Sequence, residues 1–143
     1  KGAAFVEILQ NCNVYNDMTW KMLYDKESKA MSELRLEHGK PLLFGPADDR
    51  RALVLEGVRP KVVRAADVPA DRVWVHDETD AATALVLAQL FAPEYPIPLG
   101  VLASKQETTY EQILIHHEEE AISKRGAGDI AKLLHSGETW QIK

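Results

Sequence analysis

The sequence predicts an α/β chain: the end of a parallel-sheet domain followed by a small mixed α+β region. Three observations predict it. Ala3–Leu9 is an almost unbroken apolar run rich in strand formers, the pattern of a strand buried on both faces of a parallel sheet. Arg51–Leu55 and Lys61–Arg64 flank Gly57-Val58-Arg59-Pro60 like the arms of a hairpin. Capped helical patterns then alternate with short strand candidates through the second half of the chain.

Taken in order, the first element is the Ala3–Leu9 strand. A parallel strand needs crossover partners, so its neighbours are expected upstream, in residues not present here. Lys1-Gly2 is read as an unnatural start. Polar residues follow at once, Gln10-Asn11-Cys12-Asn13 and then Val14-Tyr15-Asn16-Asp17. Ligands of parallel sheets bind outside the carboxyl ends of the strands. Cys12 therefore stands where chemistry is done, although a lone cysteine is also a small hydrophobe that packs well in a core. Flanking asparagines sit poorly with a core position. One thiol cannot hold a metal alone, so a ligand role for Cys12 requires partners from elsewhere.

Asp17 suits an N-cap for an amphipathic helix over Met18–Met31, with Trp20, Leu23 and Met31 toward a core. Gly39, Pro41 and Gly45-Pro46 punctuate a short strand at Leu42–Phe44. After the hairpin, Val73–Val75 is a further strand candidate. Asp80 suits the cap of a helix over Ala81–Phe91, apolar on nearly all sides and stopped before Pro93. Pro96 and Pro98 lead into a last strand at Leu99–Leu102. Thr108 or Thr109 caps a longer helix to about Lys124, Gly126 and Gly128 break it, and Asp129–His135 forms a short final helix.

Composition narrows the function. The 143 residues are a one-domain length, with 45% hydrophobic and 27% charged residues. A net charge of −5 argues against a nucleic-acid partner. The longest apolar stretch, Ala81–Ala92, is too short to cross a bilayer, which needs about 20 residues. One cysteine excludes an internal disulfide framework and points to a reducing compartment, hence a cytoplasmic location. His116 and Glu120 stand at helical spacing for a metal, but a run such as His116-His117-Glu118-Glu119-Glu120 reads first as a solvated face. His76-Asp77 suggests a proton-transfer pair, yet adjacent strand residues point to opposite faces, and Asp77, Thr79 and Asp80 all suit a helix-entry turn. No Gly-x-Ser-x-Gly elbow or phosphate-cradling glycine loop occurs.

Phe5–Asp17, with Gln10-Asn11-Cys12-Asn13 at its centre, resembles the stretch that ends the thiamine-pyrophosphate domain in β subunits of 2-oxoacid:ferredoxin oxidoreductases. The Gln-Asn-Cys-Asn form is similar to the 2-oxoglutarate branch. Leu36–Pro41, Phe44-Gly45, Val75–Asp77, Pro96–Val101 and Ser136–Trp140 resemble later landmarks of the same family in the same order. The resemblance implies residues 1–17 as the last strand and cluster loop of the thiamine-pyrophosphate domain, and 18–143 as the C-terminal region of the β subunit.

It further implies thiamine pyrophosphate, magnesium and a 4Fe-4S cluster in the complete subunit, with Cys12 as the fourth cluster ligand and Asn11 and Asn13 as second donors to the cluster sulfurs or as shapers of the turn. The chain has no Gly-Asp-Gly or Cys-x-x-Cys motif, so it holds none of these groups complete, and no activity is expected of it alone. The implied reaction is oxidative decarboxylation of a 2-oxoacid with coenzyme A, electrons passing to ferredoxin. The implied partners are an α subunit and a second β subunit, with no nucleic acid and no membrane. The competing reading is a non-catalytic assembly module in which Cys12 is structural.

Overall fold

In a computed structural model, residues 2–140 and 142 are described. The chain is a mixed α/β structure with a small parallel sheet and a separate antiparallel one. It divides into two units. Val6–Lys105 makes up the larger, and the remaining described residues the smaller.

The larger unit carries all the strands. Strands β1 (Glu33–Leu36) and β5 (Ile97–Gly100) pair in parallel, with Glu33 opposite Ile97 and Leu36 opposite Gly100. Strands β2 (Leu43–Phe44), β3 (Arg51–Glu56) and β4 (Arg59–Arg64) form an antiparallel meander. The hairpin expected from the sequence is β3–β4, with Glu56 opposite Arg59 and Gly57-Val58 as its two-residue loop. Gly57 has φ 67° while Val58 has no positive φ, the pattern of a type II′ turn, whose twist matches the flanking strands.

The core lies between the sheets. Leu34, Leu36, Leu42, Phe44, Leu53, Trp74, Leu87 and Leu90 form one buried cluster. Alternation explains the sheet side: Leu34 and Leu36 point inward while Glu33 and Arg35 do not. Val73–Val75 makes no extended strand, but its backbone is tied on both sides. Trp74 donates to Leu53 O at 2.8 Å, and Leu42 donates to Trp74 O at 2.8 Å.

Other sequence expectations fail here. Ala3–Leu9 forms no strand; residues 2–11 carry no regular element. A parallel strand is defined by its neighbours, and within the described residues this segment pairs with none. Met18–Met31 is not one helix but two single turns, α1 (Lys21–Tyr24) and α2 (Lys29–Ser32). Met18 sits at φ 62°, outside helical space, and Asp25 is extended at ψ 130°. Ser28 Oγ bonds both Asp25 Oδ2 and Met22 O, so the local polar side chains compete with the helical ladder.

Helix α3 (Ala81–Leu87) is shorter than its apolar run and is capped by Asp80, whose carboxylate accepts from Ala82 N at 2.9 Å. Ala84 and Leu87 face the core, whereas Leu85 and Phe91 remain exposed, so it is not buried all round as its composition suggests.

The smaller unit holds α4 (Tyr110–Arg125) and α5 (Ile130–Leu134). A capping box starts α4: the Thr109 hydroxyl accepts from Gln112 N and the Gln112 side chain accepts from Thr109 N. Asp129 caps α5 through Lys132 N at 3.0 Å. No residue of either helix is buried.

Candidate functional site

Cys12 lies at the base of a tight loop. Its backbone closes on Asn16, which donates to Cys12 O at 2.9 Å and accepts from Cys12 N at 3.4 Å. The backbone amides of Tyr15, then Val14, then Asn16 donate to the sulfur and hold the thiol pKa below its ordinary value; partial burial opposes them. Converging amides of this kind favour the thiolate, the form that binds metals and attacks electrophiles. Cys12 is half-buried, so the sulfur stays reachable.

Asn11 sets the loop. Its Nδ2 donates to Asn13 Oδ1 and to Asp17 Oδ1, both at 3.0 Å, and its Oδ1 accepts from Met18 N at 2.8 Å. The last bond supports Met18 in a left-handed backbone conformation that costs a non-glycine residue about 1–2 kcal/mol. Asn16 Oδ1 in turn accepts from Thr19 Oγ1. Asp17 is thus a loop-closing acceptor rather than the N-cap its position suggested. Sequence reasoning missed this bracket of Asn11, Asp17 and Met18. Its only trace is the density of Asn and Asp around Cys12, residues that bond their own backbone.

Among the described residues no group of three or more His, Cys, Asp or Glu side chains could hold a metal ion. The donor set around Cys12 fits one corner of a four-thiolate cluster site and no more, because the chain has no second cysteine.

The other candidates resolve by geometry. Glu120, offered with His116, receives Lys124 Nζ at 2.6 Å on an exposed face. Asp77 Oδ1 accepts from Thr79 N at 2.9 Å and Thr79 Oγ1 at 2.7 Å, the helix-entry turn expected of it. These bonds, led by the Thr79 hydroxyl, hold the Asp77 carboxyl below the usual carboxylate range. His76 points the other way and is buried, its Nε2 2.8 Å from Val101 O. With Val101 O as acceptor, Nε2 carries the proton, so His76 is a core donor and not Asp77's proton partner. His38 lies 3.7 Å from Asp77 but its Nδ1 accepts from Glu78 N at 3.3 Å, which leaves that nitrogen without a proton for the carboxylate.

Comparison with known proteins supports the resemblance carried by the Cys12 loop and the later landmarks. The chain is related to a subunit of an oxidoreductase. That relative is the 2-oxoglutarate oxidoreductase subunit KorB of Mycobacterium tuberculosis, to which the chain is 32% identical over 147 aligned residues. The match takes in 99% of this chain and 39% of the relative, so the chain spans well under half of the relative's length. No family model matches the chain, and no solved structure matches it. Among the described residues no helix is long and apolar enough to cross a membrane.

Proposed function

We propose that this chain is part of the β subunit of a 2-oxoacid:ferredoxin oxidoreductase, with Cys12 as one of four thiolate ligands to a 4Fe-4S cluster. The observation that carries the reading is the match to the oxidoreductase subunit along 99% of the chain. In this reading residues 1–17 close a thiamine-pyrophosphate domain and 18–143 form the C-terminal region. The three other cysteines, and the groups that hold thiamine pyrophosphate and magnesium, come from residues outside the chain. An α subunit, a second β subunit and ferredoxin are its partners, and the cytoplasm its compartment.

The substrate is a 2-oxoacid, with 2-oxoglutarate favoured by the relative's name and by the Gln-Asn-Cys-Asn loop, and coenzyme A accepts the acyl group. The bound cofactors supply the decarboxylation and the one-electron path. What the chain's own residues supply is a preset thiolate. The amides of Val14, Tyr15 and Asn16 lower the proton affinity of Cys12, and their N–H groups are donors of the kind that raise a cluster's potential. Asn11 keeps those amides in place through its bonds to Met18 and Asp17.

A second reading, an assembly module with a structural Cys12, is favoured by one observation: hydrogen bonds from Asn11 and Asn16 close the loop. Cys12→Ser in the complete enzyme separates the two. Loss of iron and of electron transfer is expected, with subunit assembly kept. Unchanged iron content overturns the ligand role and leaves the assembly module.

A further inference from the structure

Five of the chain's 17 basic residues border one concavity. Its volume is about 610 Å³, and its cations are Lys26, Lys29, Arg35, Lys40 and Arg50. Only two carboxylates, Glu33 and Glu37, share the lining, so the cavity carries a net charge of +3 within a chain of net charge −5.

The cations are arranged rather than scattered. Glu33 is nearly enclosed and bridges Lys29 at 3.6 Å and Arg35, which fixes two positive heads at the rim. Arg50 Nη1 donates to Gly45 O at 2.8 Å, and no carboxylate pairs with it among the described residues. The ammonium groups of Lys26 and Lys40 have no ion pair in that set either. Gly45 anchors the wall. It lies at φ 86°, and a Cβ there would stand 2.6 Å from Asp49 O, so no larger residue fits the turn that aims its carbonyl at Arg50. Its amide donates to Ala30 O at 2.8 Å and ties β2 to α2, the two elements that flank the cavity. Buried Phe44 contributes to the lining.

Like charges gathered around one hollow repel each other unless an anion joins them. The volume falls in the range of small-molecule sites, about 300–1,000 Å³. The acidic remainder of the chain opposes a long polyanion but not a short one held inside the positive field. We infer that this cavity binds a small, multiply charged oxyanion of the phosphate or polycarboxylate class, held by Lys26, Lys40, Arg35 and Arg50. None of these residues touches the Cys12 loop by any hydrogen bond or ion pair described above, and the inference does not depend on the cluster.

The test is lysine footprinting on the complete protein with an amine-acetylating reagent, read by mass spectrometry, with inorganic pyrophosphate, citrate or polyglutamate added at constant ionic strength. Lys61, which is paired with Glu56 and lies outside the cavity, is the reference. Pyrophosphate or citrate is expected to slow acetylation of Lys26 and Lys40 at least fivefold while leaving Lys61 unchanged. Protection by pyrophosphate alone identifies a phosphate ligand, and protection by citrate alone a carboxylate; both sustain the inference. In Arg35→Gln the half-protecting concentration is expected to rise about tenfold, the loss of one charge-assisted contact. Equal protection of Lys61, no protection, or protection by polyglutamate only overturns it. Iron measured on the same sample reports separately on Cys12.

Discussion

Gly100 runs so close beneath Leu36 that a Cβ on it would stand 2.7 Å from the Leu36 carbonyl oxygen. Its φ of 135° is also one that side-chain-bearing residues rarely adopt. The close approach comes from the parallel β1–β5 pair, in which these two residues are register partners. Gly100→Ala is therefore expected to destabilise the protein by about 2–3 kcal/mol, since the obstacle is backbone and cannot swing away. Gly128→Ala, with nothing within 4 Å, is expected to be neutral or slightly stabilising. Urea midpoints of the two variants check the contrast; equal midpoints would mean that β1 and β5 do not approach this closely.

Leu53 is fully buried at the centre of the core cluster. Leu53→Ala is expected to cost about 2–5 kcal/mol, lost transfer energy plus the cavity left behind. Leu133 on α5 is 71% exposed, and Leu133→Ser should change stability by less than about 0.5 kcal/mol. Thermal melts of both variants decide it, and a large loss at Leu133 would show that α5 packs into a core.

The Cys12 thiol titrates below its ordinary value because the Tyr15 and Val14 amides donate to it. A depressed value means that the folded loop favours the thiolate. The matching stabilisation is fully present above the ordinary thiol pKa and is lost as pH falls through the lowered one. Asn11→Ala removes the side chain that braces the loop. It is expected to move the inflection of the iodoacetamide-labelling rate against pH upward, toward an ordinary cysteine, in iron-free protein. An unmoved inflection would show that the amides hold their places without Asn11.

Asp49 accepts from Arg51 Nη2 at 2.9 Å, and this bond, with the charge of Arg51 and Arg64, keeps its carboxyl below the usual range. Asp77 is lowered by Thr79. Both contributions are therefore present above the ordinary carboxylate value, about 3.9, and fade as pH drops through the lowered ones. Asp49→Asn should flatten the acid limb of the stability profile below about pH 4 and leave its slope near neutrality unchanged. Denaturation midpoints from pH 6 to pH 2 measure it.

Local signals in the sequence were legible where the structure is local. The β3–β4 hairpin follows from two runs of strand formers around a glycine turn, and α4 from a threonine cap. The Asp77–Asp80 turn was readable for the same reason, since short polar side chains satisfy nearby amides. Long-range pairing was not. Glu33–Leu36 is only four residues long, and nothing in it names Ile97–Gly100 as its partner. Ala3–Leu9 has the composition of a buried strand, but composition states a preference and neighbours decide it. Of the candidate site, the Cys12 position was visible and the convergence of three amides on its sulfur was not, because backbone donors leave no mark in side-chain identity.

The β1–β5 pairing also sets an order of events during synthesis. Leu34 and Leu36 leave the ribosome well before the strand beside them, which comes only with Ile97–Gly100. Until then the apolar side chains of β1 lack that side of their enclosure, and the larger unit cannot close. A stop codon or stall anywhere between the two strands would leave a product with an open core, which chaperones and proteases would treat as unfinished.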